Sequence, residues 1–201
     1  SIYQDLIENQ WYKYPNCQPT MNMLNTKYII TGDISTDTVA NKMALGNVWF
    51  VKGIQLEKGP AEVMQQLDNF NPKDTAIIEQ KDKIDALNDI QVDENAQISL
   101  VNNNNDEVNY KSSSTKKQLA VFSEIYYKQG WKAYIDNVET PIVKANYVLR
   151  ALVVPAGDHS IRFEFKPVIV NTAQKASATA SILLWALLLG ASFMSFKKKE
   201  N

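Results

Sequence analysis

The chain has 201 residues, of which 45% are hydrophobic and 21% are charged, a composition typical of a globular protein with a sizeable core. Its 21 Lys and Arg residues balance 22 Asp and Glu residues, so no overall positive field favours nucleic acid as a partner. The single cysteine, Cys17, excludes an internal disulfide. The chain begins at Ser1 without an initiator Met or a signal peptide, which indicates a piece of a longer protein.

Residues 1–80 predict a small α/β element. Residues 47–56 (NVWFVKGIQL) are interpreted as one strand, with Gly53 at a bulge. Pro60 suits the first turn of a helix, and apolar residues recur behind it at helical spacing. Residues 75–79 then predict a short strand. Strand, helix and strand in this order are typical of a small α/β unit.

A charged stretch without strong periodicity, residues 81–96, is interpreted as a linker. Residues 97–101 and 107–111 predict two strands, separated by the asparagine run 102–105. Because asparagine tolerates a left-handed backbone, we expect a hairpin here. A cation site is the alternative, but calcium loops normally supply more carboxylates.

Residues 97–170 predict an antiparallel β-sandwich-like domain. Residues 119–127 are nearly all apolar or aromatic, as in a strand that is buried on both faces. Asp136 and Asn137 both tolerate positive φ and predict a two-residue hairpin loop. The next strand places alternate residues of 147–153 on one face.

A turn and a half-exposed strand close this domain. Pro155 and Gly157 predict a hairpin turn over residues 154–157. From Ser160 to Lys166, apolar residues alternate with polar ones, which predicts one buried and one solvated face. The fold class expected is therefore mostly β (α+β), and residues 1–170 are predicted to fold independently.

Four short phrases follow one another at tight spacing in this domain: residues 123–127 (SEIYY), 130–136 (GWKAYID), 145–151 (ANYVLRA) and 154–159 (VPAGDH). Together they resemble the C-terminal extracytoplasmic region of the bacterial YfhO family of multi-spanning membrane proteins. Residues 3–7 (YQDLI) and 24–30 (LNTKYII) are also similar to that family. The family often has proline where this chain has Gln129, and Asp-Gly where it has Asp136-Asn137, which affects the expected turn types.

The C-terminal region differs in kind. Residues 176–196 carry no charge and would span about 31 Å as a helix, enough for a bilayer core of about 30 Å. We interpret them as a transmembrane helix; a buried helix of a soluble core is the alternative. Three lysines at 197–199 follow and predict a basic cytoplasmic tail at 197–201, with residues 1 to about 170 extracytoplasmic. The resemblance implies the same orientation.

The search for chemistry finds no catalytic set, no metal site and no cofactor motif. A Ser-His-Asp system would have to use His159, the only histidine, which is better explained as a solvent-facing residue beside a hairpin turn. Cys17 is interpreted as a packing residue. Asp136 and Glu139 form a conceivable acid–base pair, but Asp136 is better explained by its turn.

Aromatic residues are the remaining candidates for function. Sugar rings stack on exposed aromatic faces while arginine bonds to their hydroxyls, so Tyr127, Tyr134 and Arg150 are candidate glycan contacts. Trp131 is expected in the sandwich core. For Tyr127 and Tyr134, a surface position and a core position are both left open.

The YfhO resemblance implies a polyprenyl-phosphate-dependent glycosyltransferase that acts on cell-envelope polymers at the bacterial cell membrane. In enzymes of that architecture the catalytic acidic residue lies between early membrane helices. The chain is therefore expected to be a non-catalytic accessory domain, whose partners are an N-terminal membrane domain, the lipid bilayer and a cell-envelope glycan. The alternatives are a glycan-binding module and a structural domain that docks on the membrane part.

Overall fold

The computed structural model describes residues 2–30, 32–33, 36–166, 181 and 185. Three α-helices lie within them: α1 (Ile2–Gln10), α2 (Gln18–Met23) and α3 (Pro60–Gln66). Short 3-10 helices cover Trp11–Lys13, Gln80–Asp82 and Asp85–Asp89. As the sequence predicts, Pro60 occupies the first turn of α3, where its missing N–H costs no hydrogen bond.

Strands dominate the described residues. The first five are β1 (Tyr28–Ile30), β2 (Thr38–Ala40), β3 (Val48–Val51), β4 (Gly53–Glu57) and β5 (Thr75–Glu79). Eight more follow: β6 (Gln97–Asn103), β7 (Glu107–Ser114), β8 (Gln118–Ile125), β9 (Trp131–Ile135), β10 (Val138–Thr140), β11 (Val143–Ala145), β12 (Leu149–Val154) and β13 (Gly157–Phe165). The prediction of a mostly β chain is confirmed.

Two antiparallel sheets face each other. One has the order β10-β9-β13-β7-β6 and the other the order β11-β12-β8-β3. The core between them takes alternate residues from both sheets, and its rings meet edge to face: Phe122 lies 4.8 Å from Phe163 and 4.9 Å from Tyr110 between centroids. We call this two-sheet body the sandwich.

The four-stranded sheet is buried on its second face as well. There Leu119 and Val121 of β8 pack with residues of α1, α3 and β5, including Leu6, Val63 and Ile77. Since Ala120 and Phe122 point into the sandwich core, β8 is buried on both sides. This confirms the interpretation of its continuous apolar run.

The segment before the sandwich contains a strand–helix–strand unit, as predicted. β4 and β5, which precede and follow α3 in the sequence, pair in parallel. The interpretation of residues 47–56 as one strand is wrong, because β3 joins the four-stranded sheet and β4 joins β5. The chain turns between them, where the N–H groups of Lys52 and Gly53 both donate to the carbonyl oxygen of Asp74.

Two short hairpins match the sequence interpretation. β6 and β7 form a hairpin in which Asn102 and Asn103 end β6 and Asn104 and Asn105 lie in the loop. β9 pairs with β10 across Asp136 and Asn137, whose φ angles are 49° and 68°. A positive φ at both loop residues gives the twist that a two-residue hairpin needs.

The prediction of a hairpin turn over residues 154–157 is wrong. Val154 ends in one sheet opposite Gln118, and Gly157 begins in the other sheet opposite Ser114, so the turn crosses between sheets. The preceding strand also begins later than predicted, at Leu149. Tyr147 has a φ of 70°, which is incompatible with a strand.

The predicted membrane segment 176–196 lies outside the described residues, apart from Ser181 and Trp185. Among the helices that are described, none is both long enough and apolar enough to cross a bilayer. The membrane helix and the unit boundaries inferred from the sequence therefore stay predictions.

Candidate functional site

One end of the sandwich carries a cluster of partly exposed aromatic rings. The loop between β8 and β9 places Tyr127 and Trp131 around Phe165, the last residue of β13, at centroid distances of 6.4 and 5.3 Å. Gly130 is buried against the Phe165 ring, and a side chain there would overlap it. The Gly130 carbonyl accepts a 2.7 Å hydrogen bond from the N–H of Lys166, which ties the loop to the end of β13. We call this region, with Arg150, the aromatic end.

Arg150 enters the aromatic end from inside the sandwich. On β12 it shares a face with Leu152 and Val154, both of which lie in the core between the sheets. The guanidinium carbon lies 4.1 Å from the centroid of Trp131 and 5.3 Å from that of Phe163. The side chain is therefore held by aromatic faces, and the residue is only 3% exposed.

The polar partners of Arg150 are incomplete. Its Nε donates to the carbonyl oxygen of Ile125 at 2.9 Å, and Nη2 lies 3.8 Å from a carboxylate oxygen of Glu124. Nη1 is buried and has no hydrogen-bond partner among the described residues. Burial lowers the pKa of Arg150 to about 10, so the group stays charged at neutral pH.

A cleft of about 230 Å³ opens at this end. Arg150 lines the cleft together with three aromatic residues and two lysines: Tyr126, Tyr127, Trp131, Lys128 and Lys132. Lys132 is paired with Glu139 at 2.9 Å, whereas Lys128 makes no ion pair with the described residues. The cleft thus combines ring faces for apolar contact with cationic donors for oxygen atoms.

Tyr134 lies elsewhere. On β9 it alternates with Ala133 and Ile135, which point into the sandwich core, so its ring is on the outer face of the five-stranded sheet. There the guanidinium of Arg162 lies 4.4 Å from the ring centroid. Of the three candidate contacts, only Tyr127 and Arg150 line the cleft.

Trp131 is the contact that sequence reasoning placed in the core. It does pack against the core between the sheets, but it is only half buried and lines the cleft. Its position directly after a glycine that breaks a strand was the available signal, because loop-borne residues at strand ends are often exposed.

The opposite end of the sandwich holds His159 and Asp136. Their Nδ1 and Oδ2 atoms are 2.6 Å apart, and the other oxygen of Asp136 accepts from the N–H of Ser160 at 2.9 Å. The Nε2 atom of His159 faces the carbonyl oxygen of Ala156 at 3.2 Å. We call these residues, with Asn137, the hairpin end.

This arrangement favours a structural histidine over a catalytic base. The hydrogen bond that the His159 ring donates to Asp136 raises the pKa of His159, and both ring nitrogens face acceptors that suit the protonated form. A serine nucleophile would need one of those nitrogens. Asp136 and Glu139, the second conceivable acid–base pair, are bound to different partners: Asp136 to His159 and Glu139 to Lys132.

A buried ion pair joins the parallel strands to the sandwich, and no local sequence pattern predicts it. Glu79, which is 1% exposed, bonds to Lys144 of β11 and to Lys81, the latter at 2.5 Å. Beside it, Asn146 exchanges two 2.8 Å hydrogen bonds with the backbone of Ile77. These groups fix β5 against β11 and serve the fold.

Other candidates are also structural. Cys17 is 1% exposed, and burial raises the pKa of its thiol, in keeping with a packing role. Among the described residues, no three His, Cys, Asp or Glu side chains are grouped so as to hold a metal ion.

Comparison with known proteins gives one match. The model of a family described as bacterial membrane protein YfhO matches residues 69–176, more than half of the chain. No curated protein and no solved structure matched the chain. The matched region includes β5 to β13 and therefore both ends of the sandwich. The chain belongs to the YfhO family of bacterial membrane proteins.

Proposed function

We propose that this chain is a non-catalytic extracytoplasmic accessory domain of a multi-spanning membrane protein, and that its aromatic end binds glycan. The observation that carries the proposal is the cleft in which Tyr127, Trp131 and Arg150 come together. Membership of a membrane-protein family supports the membrane context.

The cleft is suited to weak carbohydrate binding. The exposed ring of Tyr127 offers a face for the C–H side of a sugar, and Lys128 offers donors to its hydroxyl oxygens. One or two stacked rings contribute about 1 kcal/mol each beyond the burial of apolar area. Affinity would then lie near the millimolar range, which corresponds to about 4 kcal/mol.

Catalysis is assigned to the membrane part of the longer protein. In our proposal that protein is a polyprenyl-phosphate-dependent glycosyltransferase that acts on cell-envelope polymers, and its catalytic acidic residue lies between membrane helices. Both ring nitrogens of His159 face acceptors on Asp136 and Ala156, which supports a non-catalytic role for this chain. Turnover of a polyprenyl-phosphate sugar by the chain alone would contradict the assignment.

The topology is tested separately. Reporter fusions after Asn201 and after Pro167 should report opposite compartments, with Asn201 cytoplasmic, because residues 176–196 are predicted to span the bilayer. The same compartment for both fusions would exclude the span.

The binding proposal is tested by titrating the full chain, in lipid nanodiscs, with cell-wall oligosaccharides and following tryptophan fluorescence. Tyr127→Ala should weaken binding about fivefold, the equivalent of about 1 kcal/mol. Tyr134→Ala removes the same side chain from the outer face and should leave the affinity unchanged. Equal effects of both substitutions, or no saturable binding, would exclude the cleft as the site.

A second candidate, a structural domain that docks on the membrane part, is favoured by the exposed hairpin of β1 and β2. Its apolar side chains Tyr28, Ile30 and Val39 are each more than half exposed. Replacement of all three by Ser should reduce co-purification of the chain with the remainder of the protein if that hairpin is the docking surface.

A further inference from the structure

The end of β13 determines where the chain leaves the sandwich. Phe165 and Lys166 lie at the aromatic end, whereas Gly157 lies at the other end of the same strand. Nine residues, 167–175, separate Lys166 from the uncharged segment that begins at Ala176. Fully extended, they reach at most about 30 Å.

This short connection limits which part of the molecule can face the membrane. β13 rises about 3.3 Å per residue, so its two ends are about 26 Å apart. If the hairpin end faced the bilayer, the connection would run back along the whole strand and use almost its full reach. With the aromatic end toward the bilayer, no such return is needed.

The surface at the aromatic end has the composition of a membrane interface. Tyr127 is 49% exposed, and Trp131 and Phe165 beside it are half buried. Tyrosine and tryptophan favour the headgroup level of a bilayer, because their rings are apolar on one side and polar at one edge. Lys128, at the tip of the same loop, is exposed and has no ion pair with the described residues.

We propose that the loop between β8 and β9 rests on the bilayer, with Tyr127 at the headgroup level and Lys128 against lipid phosphates. The partner is the lipid itself, and not a second copy of the chain or another protein segment. The inference rests on the predicted membrane segment 176–196. Lipid and glycan would contact the same ring of Tyr127, so the two contacts exclude each other, and the lipid contact is measured without sugar.

The test measures collisions of a nitroxide label with oxygen, which enters the bilayer, and with a water-soluble nickel chelate. The full chain is placed in nanodiscs of phosphatidylcholine with phosphatidylglycerol and labelled at Tyr127→Cys or, in a second preparation, at Gln129→Cys. Val138→Cys is the control, because Val138 is 68% exposed at the hairpin end. The native Cys17 is buried and stays unlabelled.

The oxygen-to-nickel ratio should be several-fold higher at Tyr127 and Gln129 than at Val138. Lys128→Glu should lower the ratio at Tyr127 in these anionic nanodiscs, whereas Lys111→Glu, an equal charge change on an exposed residue of β7, should not. Equal ratios at all three positions would overturn the proposal, since the loop would face water. Exclusion of both reagents at Tyr127 would overturn it too, since protein would then cover the loop.

Discussion

The two ends of the sandwich differ in how their charged side chains are partnered. At the hairpin end, both oxygens of Asp136 and both nitrogens of His159 have partners. At the aromatic end, Arg150 is buried with Nη1 unpartnered among the described residues, and Tyr127 is half exposed. Ser112, opposite His159, also has a buried hydroxyl without a hydrogen-bond partner among the described residues, so the contrast rests on the charged groups and on the exposed ring of Tyr127. We therefore propose a stabilising role for the hairpin end and a binding role for the aromatic end.

The largest effect is expected from Gly130→Ala at the aromatic end. The new methyl group would overlap the Phe165 ring and displace it, which should lower the free energy of unfolding by about 1–3 kcal/mol. Urea denaturation of residues 1–170, a fragment predicted to fold alone, measures this change. Gly53→Ala is the control: its methyl group would meet no atom within 4 Å, and the change should stay within about 0.5 kcal/mol. Equal effects would contradict the packing described for Gly130.

Arg150→Met separates recognition from stability. Methionine retains apolar contact with Trp131 and removes a buried charge, which offsets part of the hydrogen bond lost at the carbonyl oxygen of Ile125, so stability should fall by no more than about 2 kcal/mol. Glycan binding should be lost. Urea denaturation measures the stability, and the fluorescence titration measures the glycan affinity. A large loss of stability with unchanged binding would reverse the roles given to the two ends.

The pair at the hairpin end should stabilise the fold in a defined pH range. The pKa of His159 is raised above 6.5 by its hydrogen bond to Asp136, so its contribution is complete below pH 6.5 and is lost as the pH rises through the folded-state value. The same bond lowers the pKa of Asp136 below 3.8, so its contribution is complete above pH 3.8 and is lost in stronger acid.

His159→Gln should therefore destabilise the protein most between about pH 4 and 6.5, and less at pH 8. Because Asp136 is half exposed, the effect should stay below about 1 kcal/mol. Thermal unfolding of residues 1–170 of both proteins across this range provides the comparison. A destabilisation that grows toward pH 8 would contradict the predicted loss of the His159–Asp136 contribution to stability at high pH.

The smallest effect is a gain from Asn137→Gly. Asn137 has a φ of 68°, which glycine adopts without the strain imposed by a Cβ atom, so stability should rise by about 0.5 kcal/mol. Urea denaturation detects the change, and glycan affinity should not move. A loss of stability would mean that the side chain of Asn137 contributes more than its backbone strain costs.

Local patterns predicted the parts of the fold that depend on neighbouring residues. The hairpin at Asp136 and the doubly buried β8 followed from turn residues and from a continuous apolar run. Pairing between distant strands was not predictable in this way. β3 joins β8, and β12 and β13 enter different sheets, because the turn after Val154 fits a crossing as well as a hairpin.

The candidate site was also predictable only where local sequence patterns determine it. Strand alternation places Tyr134 on the opposite face of β9 from Trp131, in agreement with a surface position for Tyr134 and a core-facing position for Trp131. It gives no information on whether Tyr134 lies near Tyr127 and Arg150, which are on other segments. Arg150 shares its face with Leu152 and Val154, a pattern that indicates burial. The pairing of Glu79 with Lys144, which are 65 residues apart in sequence, depends on tertiary contacts alone.

The division of roles between the two ends is tested most directly by fluorine NMR of the full chain labelled with fluorotyrosine. Tyr127→Phe and Tyr134→Phe assign the two resonances, and cell-wall oligosaccharide is then added to saturation. The resonance of Tyr127 should move with a saturable, millimolar dependence, while that of Tyr134 on the outer face stays in place. A saturable shift of Tyr134 with a static Tyr127, or no shift of either, would contradict the assignment of recognition to the aromatic end.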